Sequence, residues 1–230
     1  KGDTLTIMYE YNAPDISPMF YSLGPVELNS AESLAYTEAR LWGIANDTVC
    51  TWIGGTGTWD ASSANWSGCG GSVPDSTDDV VINGAVVASS GSKSIASLSI
   101  SNGTLTMGSS DSLTVAGNVT ISTAGTLNTT GALFSLSGDF TNIGTYTCSN
   151  ASNSGGIGIR FLTGQSNYSF FNSGTITNAD NKCQLVYTNS SALAGTLSIT
   201  GNFSFGSLLV SDVNNDGFNI VGDKGKEVII

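Results

Sequence analysis

The sequence predicts an all-β protein, a parallel β-solenoid with coils of about 21 residues behind an N-terminal cap. Three observations predict it. A Gly-Thr-apolar-polar unit recurs as GTLT at Gly103, GTLN at Gly125, GTYT at Gly144, GTIT at Gly174 and GTLS at Gly195, in steps of 22, 19, 30 and 21 residues. A second unit keeps the same phase: VAGNVT from Val115, LSGDFT from Leu136 and ITGNFS from Ile199, at offsets of 21 and 63. From about residue 80 onward, Gly, Asn and Ser break short apolar–polar alternations, as turn residues between strands do. A period of this length with two or three strands in it belongs to a solenoid whose coils stack on one another. Short strands every ~8–12 residues also fit an antiparallel β-sandwich, the alternative architecture. The shared phase of two independent units favours the solenoid.

The elements follow in order. Residues 1–49 form a strand and helix segment distinct from the rest. DTLTIMYEY alternates as a strand does, and NAPDISPMFYSLGP, with three of the four prolines, reads as an irregular connection. NSAESLAYTEARLWG predicts a helix, with Asn29 as N-cap, Glu32 three residues on, Leu34 and Leu41 on one face and Gly43 as the stop. Residues 50–84 form a Trp/Gly-rich cap. Residues 85–210 form the coils, in which Leu105, Leu127, Tyr146, Ile176 and Leu197 are expected to make one inward ladder. The 30-residue step marks an insertion around NSGGIGIRFLTGQSN. Residues 211–230 hold an Asp/Asn-rich loop and a terminal strand, KEVII.

Composition narrows the function classes. The 230 residues are enough for one large or two small domains. Only 11% are charged, against about 25% in an average soluble domain, and Ser, Thr, Asn and Gly fill the gap. The net charge is −11, and the seven basic residues are scattered, so nucleic acid is excluded as a partner. Cations, calcium above all, are attracted. There is no histidine, which removes the commonest general base and zinc ligand. No apolar run approaches the ~20 residues of a membrane span. No secretion signal opens the sequence, so a mature chain or a fragment is expected.

The four cysteines, Cys50, Cys69, Cys148 and Cys183, contain no CxxC, and two disulfides in an oxidising compartment are expected. Three pairings are possible. Cys50–Cys69 and Cys148–Cys183 are favoured because each closes a local loop.

The stretch from Trp52 to Trp59, W-x-G-G-x-G-x-W, is followed by ANWSG from Ala64, Pro74 and DDVVI from Asp78. It resembles the opening of a recurrent domain in large bacterial and archaeal surface proteins. These are adhesin-like, autotransporter-passenger-like β-strand-repeat proteins. SLTVAGNVTI and GDFTNIGTYT continue the resemblance, which covers about residues 50–205. It implies a right-handed parallel β-helix, extracellular display at the cell surface, and a structural or adhesive role.

Several candidate sites are weighed against simpler roles. Trp52, Trp59 and Trp66, seven residues apart, suit either stacking on sugar rings or plugging the open end of a solenoid; the cap is the expected role. Asp78 and Asp79 invite comparison with catalytic acid pairs. Neighbours on a strand point to opposite faces, so solvation at the start of a strand is expected instead. No Gly-x-Ser-x-Gly elbow is present, and no histidine could activate a serine. DVNNDGFNIVGD matches the first half of a calcium loop. Asp212, Asn214 and Asp216 would supply side-chain oxygens, Phe218 a carbonyl, and Asp223 the twelfth position. That twelfth residue is Asp where an EF-hand has Glu, and no flanking helices are evident, so the loop resembles those of dockerin-like extracellular repeats. Glycosylation sequons fall at Asn46, Asn65, Asn102, Asn118, Asn128, Asn150, Asn167, Asn189 and Asn202.

The expected function is therefore a non-enzymatic, extracellular structural or adhesive β-helical module. Its partners are other surface proteins, glycans or further copies of itself, joined head to tail or by strand addition. The alternatives are a self-assembling subunit of a filament or surface layer and, last, a carbohydrate-active enzyme.

Overall fold

The computed structural model describes residues 20–23, 27–28, 36–37, 42–45, 49–88, 90–148, 157–162, 167–178, 183–189, 195–202, 205, 207–212 and 218–222. The chain divides into two compact units, Lys1–Thr48 and Val49–Ile230.

The first unit contains strands β1 (Phe20–Leu23), β2 (Glu27–Leu28), β3 (Tyr36–Thr37) and β4 (Trp42–Ala45). β1 pairs antiparallel with β4, and β2 with β3. Tyr36–Thr37 is a strand inside the stretch where a helix is expected from Asn29 to Gly43, and the strand Trp42–Ala45 overlaps its end. The leucine spacing that suggests a helix also fits short strands, because Tyr, Thr, Trp and Ile favour extended backbone. DTLTIMYEY lies outside the described residues.

The second unit opens with β5 (Val49–Trp52), β6 (Gly57–Thr58), a 3-10 turn at Ser63–Asn65, and β7 (Trp66–Ser67). Fifteen strands follow: β8 (Asp79–Ala88), β9 (Ser92–Ile95), β10 (Ser97–Thr106), β11 (Ser112–Val115), β12 (Val119–Asn128), β13 (Leu133–Leu136), β14 (Phe140–Asn142), β15 (Thr145–Cys148), β16 (Ile157–Phe161), β17 (Asn167–Asn172), β18 (Thr175–Asn178), β19 (Gln184–Asn189), β20 (Gly195–Gly201), β21 (Ser207–Asp212) and β22 (Phe218–Gly222). They fall into two sheets. The larger has twelve strands, with β22-β20-β17-β14-β12-β10-β8-β5-β7 as its main path and β6, β15 and β18 beside it. The smaller runs β21-β19-β16-β13-β11-β9. The chain visits the two sheets in turn, and every pairing from β8 onward is parallel. All-parallel pairing departs from the antiparallel alternative.

Side-chain alternation builds the core. On β12, Val119, Ile121 and Leu127 are buried while Thr120, Thr126 and Asn128 are half-buried. The inward residues of the two sheets meet. Phe134 of the smaller sheet contacts Phe140 and Tyr146 of the larger, and Tyr168 of the larger contacts Phe161 and Tyr187 of the smaller. Each buried aromatic or aliphatic side chain of this kind stabilises the fold by roughly 1.5–3 kcal/mol.

Leu105, Leu127, Tyr146 and Ile176 stack in one register, as the repeat predicts. Leu197 does not join them; it stands between Tyr168 and Ile220. ITGNFS is displaced likewise. Val115 pairs with Leu136 in the smaller sheet, whereas Ile199 pairs with Phe170 in the larger. Along Val80, Leu98, Val119, Phe140, Phe170 and Ile199 the stacking steps are 18, 21, 21, 30 and 29 residues. Two long steps in succession shift the Gly-Thr unit from the second half of the larger sheet to its first half. A two-residue rhythm satisfies either half, so it cannot report the shift.

Glycine explains why the Gly-Thr unit recurs. A Cβ on Gly125 would lie 2.2 Å from the Ile100 carbonyl oxygen, one on Gly144 2.2 Å from that of Ser122, and one on Gly174 2.2 Å from that of Gly144. The strand bends there against the turn of the preceding layer, and no side chain fits. At the same place β12 gives way to the broken pairs β14/β15 and β17/β18.

Candidate functional site

The Trp-rich end is held from within. Trp52, Trp59 and Trp66 are 1%, 0% and 6% exposed. The Trp66 ring meets Trp52 at 4.9 Å and Trp59 at 4.6 Å between centroids. Trp66 Nε1 donates to the Trp59 carbonyl at 3.0 Å, and Trp52 Nε1 to that of Gly55 at 2.6 Å. Gly54 leaves room for Asn65, since a Cβ there would stand 2.6 Å from that side chain. The rings offer no open face to a sugar. They fill the space where β7 pairs antiparallel with β5 at the end of the larger sheet.

Two disulfides fasten the second unit, in the pairing expected from local loop closure. Cys50 of β5 is bonded to Cys69 just after β7, with Cα atoms 4.9 Å apart. Cys148 of β15 is bonded to Cys183 just before β19, with Cα atoms 6.0 Å apart. All four cysteines are buried. Gly158 lies beneath the second bond: a Cβ there would stand 2.2 Å from the Cys183 sulfur and 3.3 Å from the Cys148 sulfur.

Asp78 is buried, not solvated as expected. Its Oδ2 accepts the Asp75 amide at 2.7 Å, so the carboxylate closes the turn before β8. Asp79, the first residue of β8, accepts from the Ser97 hydroxyl at 2.6 Å. The two carboxylates serve different neighbours and share no common space. Asp111 and Asp139 also staple turns: Asp111 accepts the amides of Gly91 and Gly108, and Asp139 that of Ser169. Lys93 pairs with Asp60 at 2.8 Å, tying β9 to the Trp-rich end.

The core also holds polar groups: an asparagine pair that the sequence analysis does not anticipate, and the hydroxyl of the ladder residue Tyr146. Asn142 and Asn172 are 0% and 1% exposed and bonded to each other. Tyr146, wholly buried, shares a 2.9 Å hydrogen bond with the Thr129 hydroxyl and donates to the Gly158 carbonyl at 2.9 Å. Burial pushes its phenol above the usual tyrosine range, and the Thr129 bond only partly opposes this. The asparagines carry one legible signal: TNIG and FNSG each place Asn two residues before the crowded glycine.

The expected calcium loop lies mostly outside the described residues. Asp212 ends β21 in the smaller sheet and Phe218 begins β22 in the larger, while Asn214, Asp216 and Asp223 lie outside the described residues. Among the described residues no group of three or more His, Cys, Asp or Glu is placed to hold a metal. Of the sequons, Asn102, Asn118, Asn167 and Asn202 are exposed, and Asn65 and Asn128 are half-buried. Asn189 is the last residue of β19. Asn46 and Asn150 lie outside the described residues. Among the described residues no helix is long and apolar enough to cross a membrane.

No family model, curated protein or solved structure matches this chain.

Proposed function

We propose that the second unit is a right-handed parallel β-helix that serves, without catalysis, as a structural or adhesive module of a cell-surface protein. The observation that carries the reading is the regular visiting of two parallel sheets by consecutive strands, with Leu105, Leu127, Tyr146 and Ile176 stacked in register. Stacked layers of this kind extend along one axis and suit a projecting stalk. Two buried disulfides favour an oxidising compartment, since cytosolic thiols are kept reduced. Buried tryptophans and separately engaged carboxylates favour a scaffold over an active site. A calcium ion in the 212–223 loop would tie the last strands of the two sheets together.

Treating intact source cells with a membrane-impermeant amine reagent tests the address. Labelling of Lys93, Lys182, Lys224 or Lys226 before lysis is the expected result. A chain labelled only after lysis contradicts the proposal.

A second reading, a self-assembling subunit, rests on β21 and β22. Among the described residues each pairs on one side only, and such edges can accept another strand. Electron microscopy of the purified chain separates the readings, because filaments favour assembly and monodisperse particles the single module.

A further inference from the structure

The outward residues of the second half of the larger sheet form a regular array. β10 presents Thr104 and Thr106, β12 Thr126 and Asn128, β15 Thr145 and Thr147, and β18 Thr175 and Thr177. Between the two members of each pair lies an inward apolar residue: Leu105, Leu127, Tyr146 or Ile176. The pairs are in register. Thr104 stands over Thr126, then Thr145, then Thr175; Thr106 stands over Asn128, then Thr147, then Thr177. The one irregularity between β10 and β12 falls earlier, between Ile100 and Asn102, so the array itself is unbroken.

The repeat follows from backbone geometry. Neighbouring strands lie about 4.7–4.9 Å apart, and residues two apart on a strand are separated by roughly 6.5 Å. Thr175 and Thr177 are exposed and the rest are half-buried, as expected of side chains that shield one another above and below while facing outward. Threonine is restricted at χ1, so stacked threonines present hydroxyl and methyl groups with little freedom to lose. Among the described residues no protein group hydrogen-bonds the seven hydroxyls. Each can therefore donate to and accept from water while its methyl group limits where that water sits.

The array is also chemically distinct from its surroundings. It holds no ionisable side chain, on a chain of net charge −11. The column in the first half of the same sheet is mixed: Val81, Ser99, Thr120, Thr141, Phe171 and Thr200. A neutral lattice of hydroxyls and methyls with two fixed repeats complements a neutral, hydrogen-bonding, periodic partner. Ice is such a partner. The oxygen spacings of its prism faces match the array closely across the strands and more loosely along them.

We propose that this threonine array is an ice-binding face. The inference goes beyond the surface-module reading and does not depend on it, since it rests on strand register and side-chain type alone. Asn102 and Asn128 are sequons at the edge of the array and within it, so glycans there would cover the face.

The test uses the full chain, produced without N-glycans, in ice-plane adsorption and thermal-hysteresis measurements. Shaped crystals, a measurable hysteresis and adsorption to prism planes are expected. Thr126→Tyr with Thr145→Tyr should abolish all three, while Ser99→Tyr, outside the array, should leave them intact. Circular dichroism shows whether each variant is folded. If the double variant does not fold, Thr175→Tyr with Thr177→Tyr, at exposed positions, takes its place and should reduce hysteresis several-fold. Growth of unshaped crystals with folded wild-type chain present overturns the proposal. Hysteresis unchanged in the folded array variants also overturns it, as does binding to crystalline cellulose or chitin in place of ice.

Discussion

The Asn142 side-chain amide donates a 2.7 Å hydrogen bond to Oδ1 of Asn172, inside the core and between successive layers of the larger sheet. The same amide reaches the Thr175 carbonyl at 3.1 Å, and Asn172 in turn donates to the Asn202 carbonyl at 2.7 Å. The position follows Ile121 in register, so an apolar column becomes polar here. It does so where β14/β15 and β17/β18 break. Backbone carbonyls that leave the regular ladder at a break need donors, and the asparagine amides supply them.

Replacing Asn142 by Leu tests that role. Asn172 Oδ1 would lose its donor inside the core, at about 1–3 kcal/mol, and the part-buried Thr175 carbonyl would lose one as well. Urea unfolding of Asn142→Leu should show a lowered midpoint at an unchanged slope. An unmoved midpoint would mean that the bond contributes nothing to stability.

The crowded glycines make a second prediction. Gly144→Ala places a methyl 2.2 Å from the Ser122 carbonyl and 2.4 Å from that of Gly125. Overpacking of this kind costs about 1–3 kcal/mol, and here the obstacle is backbone, which cannot rotate away. At Gly57 the nearest atom is 3.4 Å off, on the Trp52 ring. Thermal unfolding should rank Gly144→Ala well below Gly57→Ala, and equal melting temperatures would contradict the packing of this bend.

Burial of the tryptophans is open to fluorescence. In a Trp42→Phe variant the remaining emission comes from Trp52, Trp59 and Trp66 alone. It should be blue-shifted and resist acrylamide in the native state. Trp59→Ala should destabilise the fold by about 3–5 kcal/mol. Red-shifted, freely quenched emission would show rings open to a ligand.

The Tyr146 phenol makes stability fall in alkali. Its pKa is raised in the folded state, chiefly by burial, so the native chain holds this proton more tightly than the unfolded chain does. The contribution is fully present below the unfolded value of about 10 and declines as pH rises from there toward the folded value. Unfolding free energy measured above that pH should decline more steeply for the wild type than for Tyr146→Phe, which has no proton to lose there. Parallel profiles would contradict the burial of this group.

Calcium in the 212–223 loop would stabilise the folded state by mass action. A chelator-treated sample should gain melting temperature on addition of millimolar calcium, and Asp216→Ala should remove the gain. An unchanged melting temperature in the wild type would discard the site.

Much of the architecture is legible because the parallel stacking of strands repeats. The ladder from Leu105 to Ile176 announced itself through a glycine that cannot change and an apolar residue two positions on. Both disulfides were legible from loop length. The place of Leu197 is not legible, because nothing in an alternating strand distinguishes the first half of the sheet from the second once an insertion has altered the step. The burial of Asp78 is not legible, because a carboxylate before a strand is normally solvated and the Asp75 amide that it accepts is a backbone group with no signature. The threonine array was visible as TLT, TLN, TYT and TIT, yet its meaning depends on register, which only the stacked strands supply.

The most direct test of the proposed surface β-helix is a cryo-electron microscopy map of the native assembly on the source cell. A density projecting from the cell surface, layered every ~4.8 Å along its axis with one coil per layer, is the predicted result. Density for two antiparallel sheets, or a chain found only inside the cell, would contradict it.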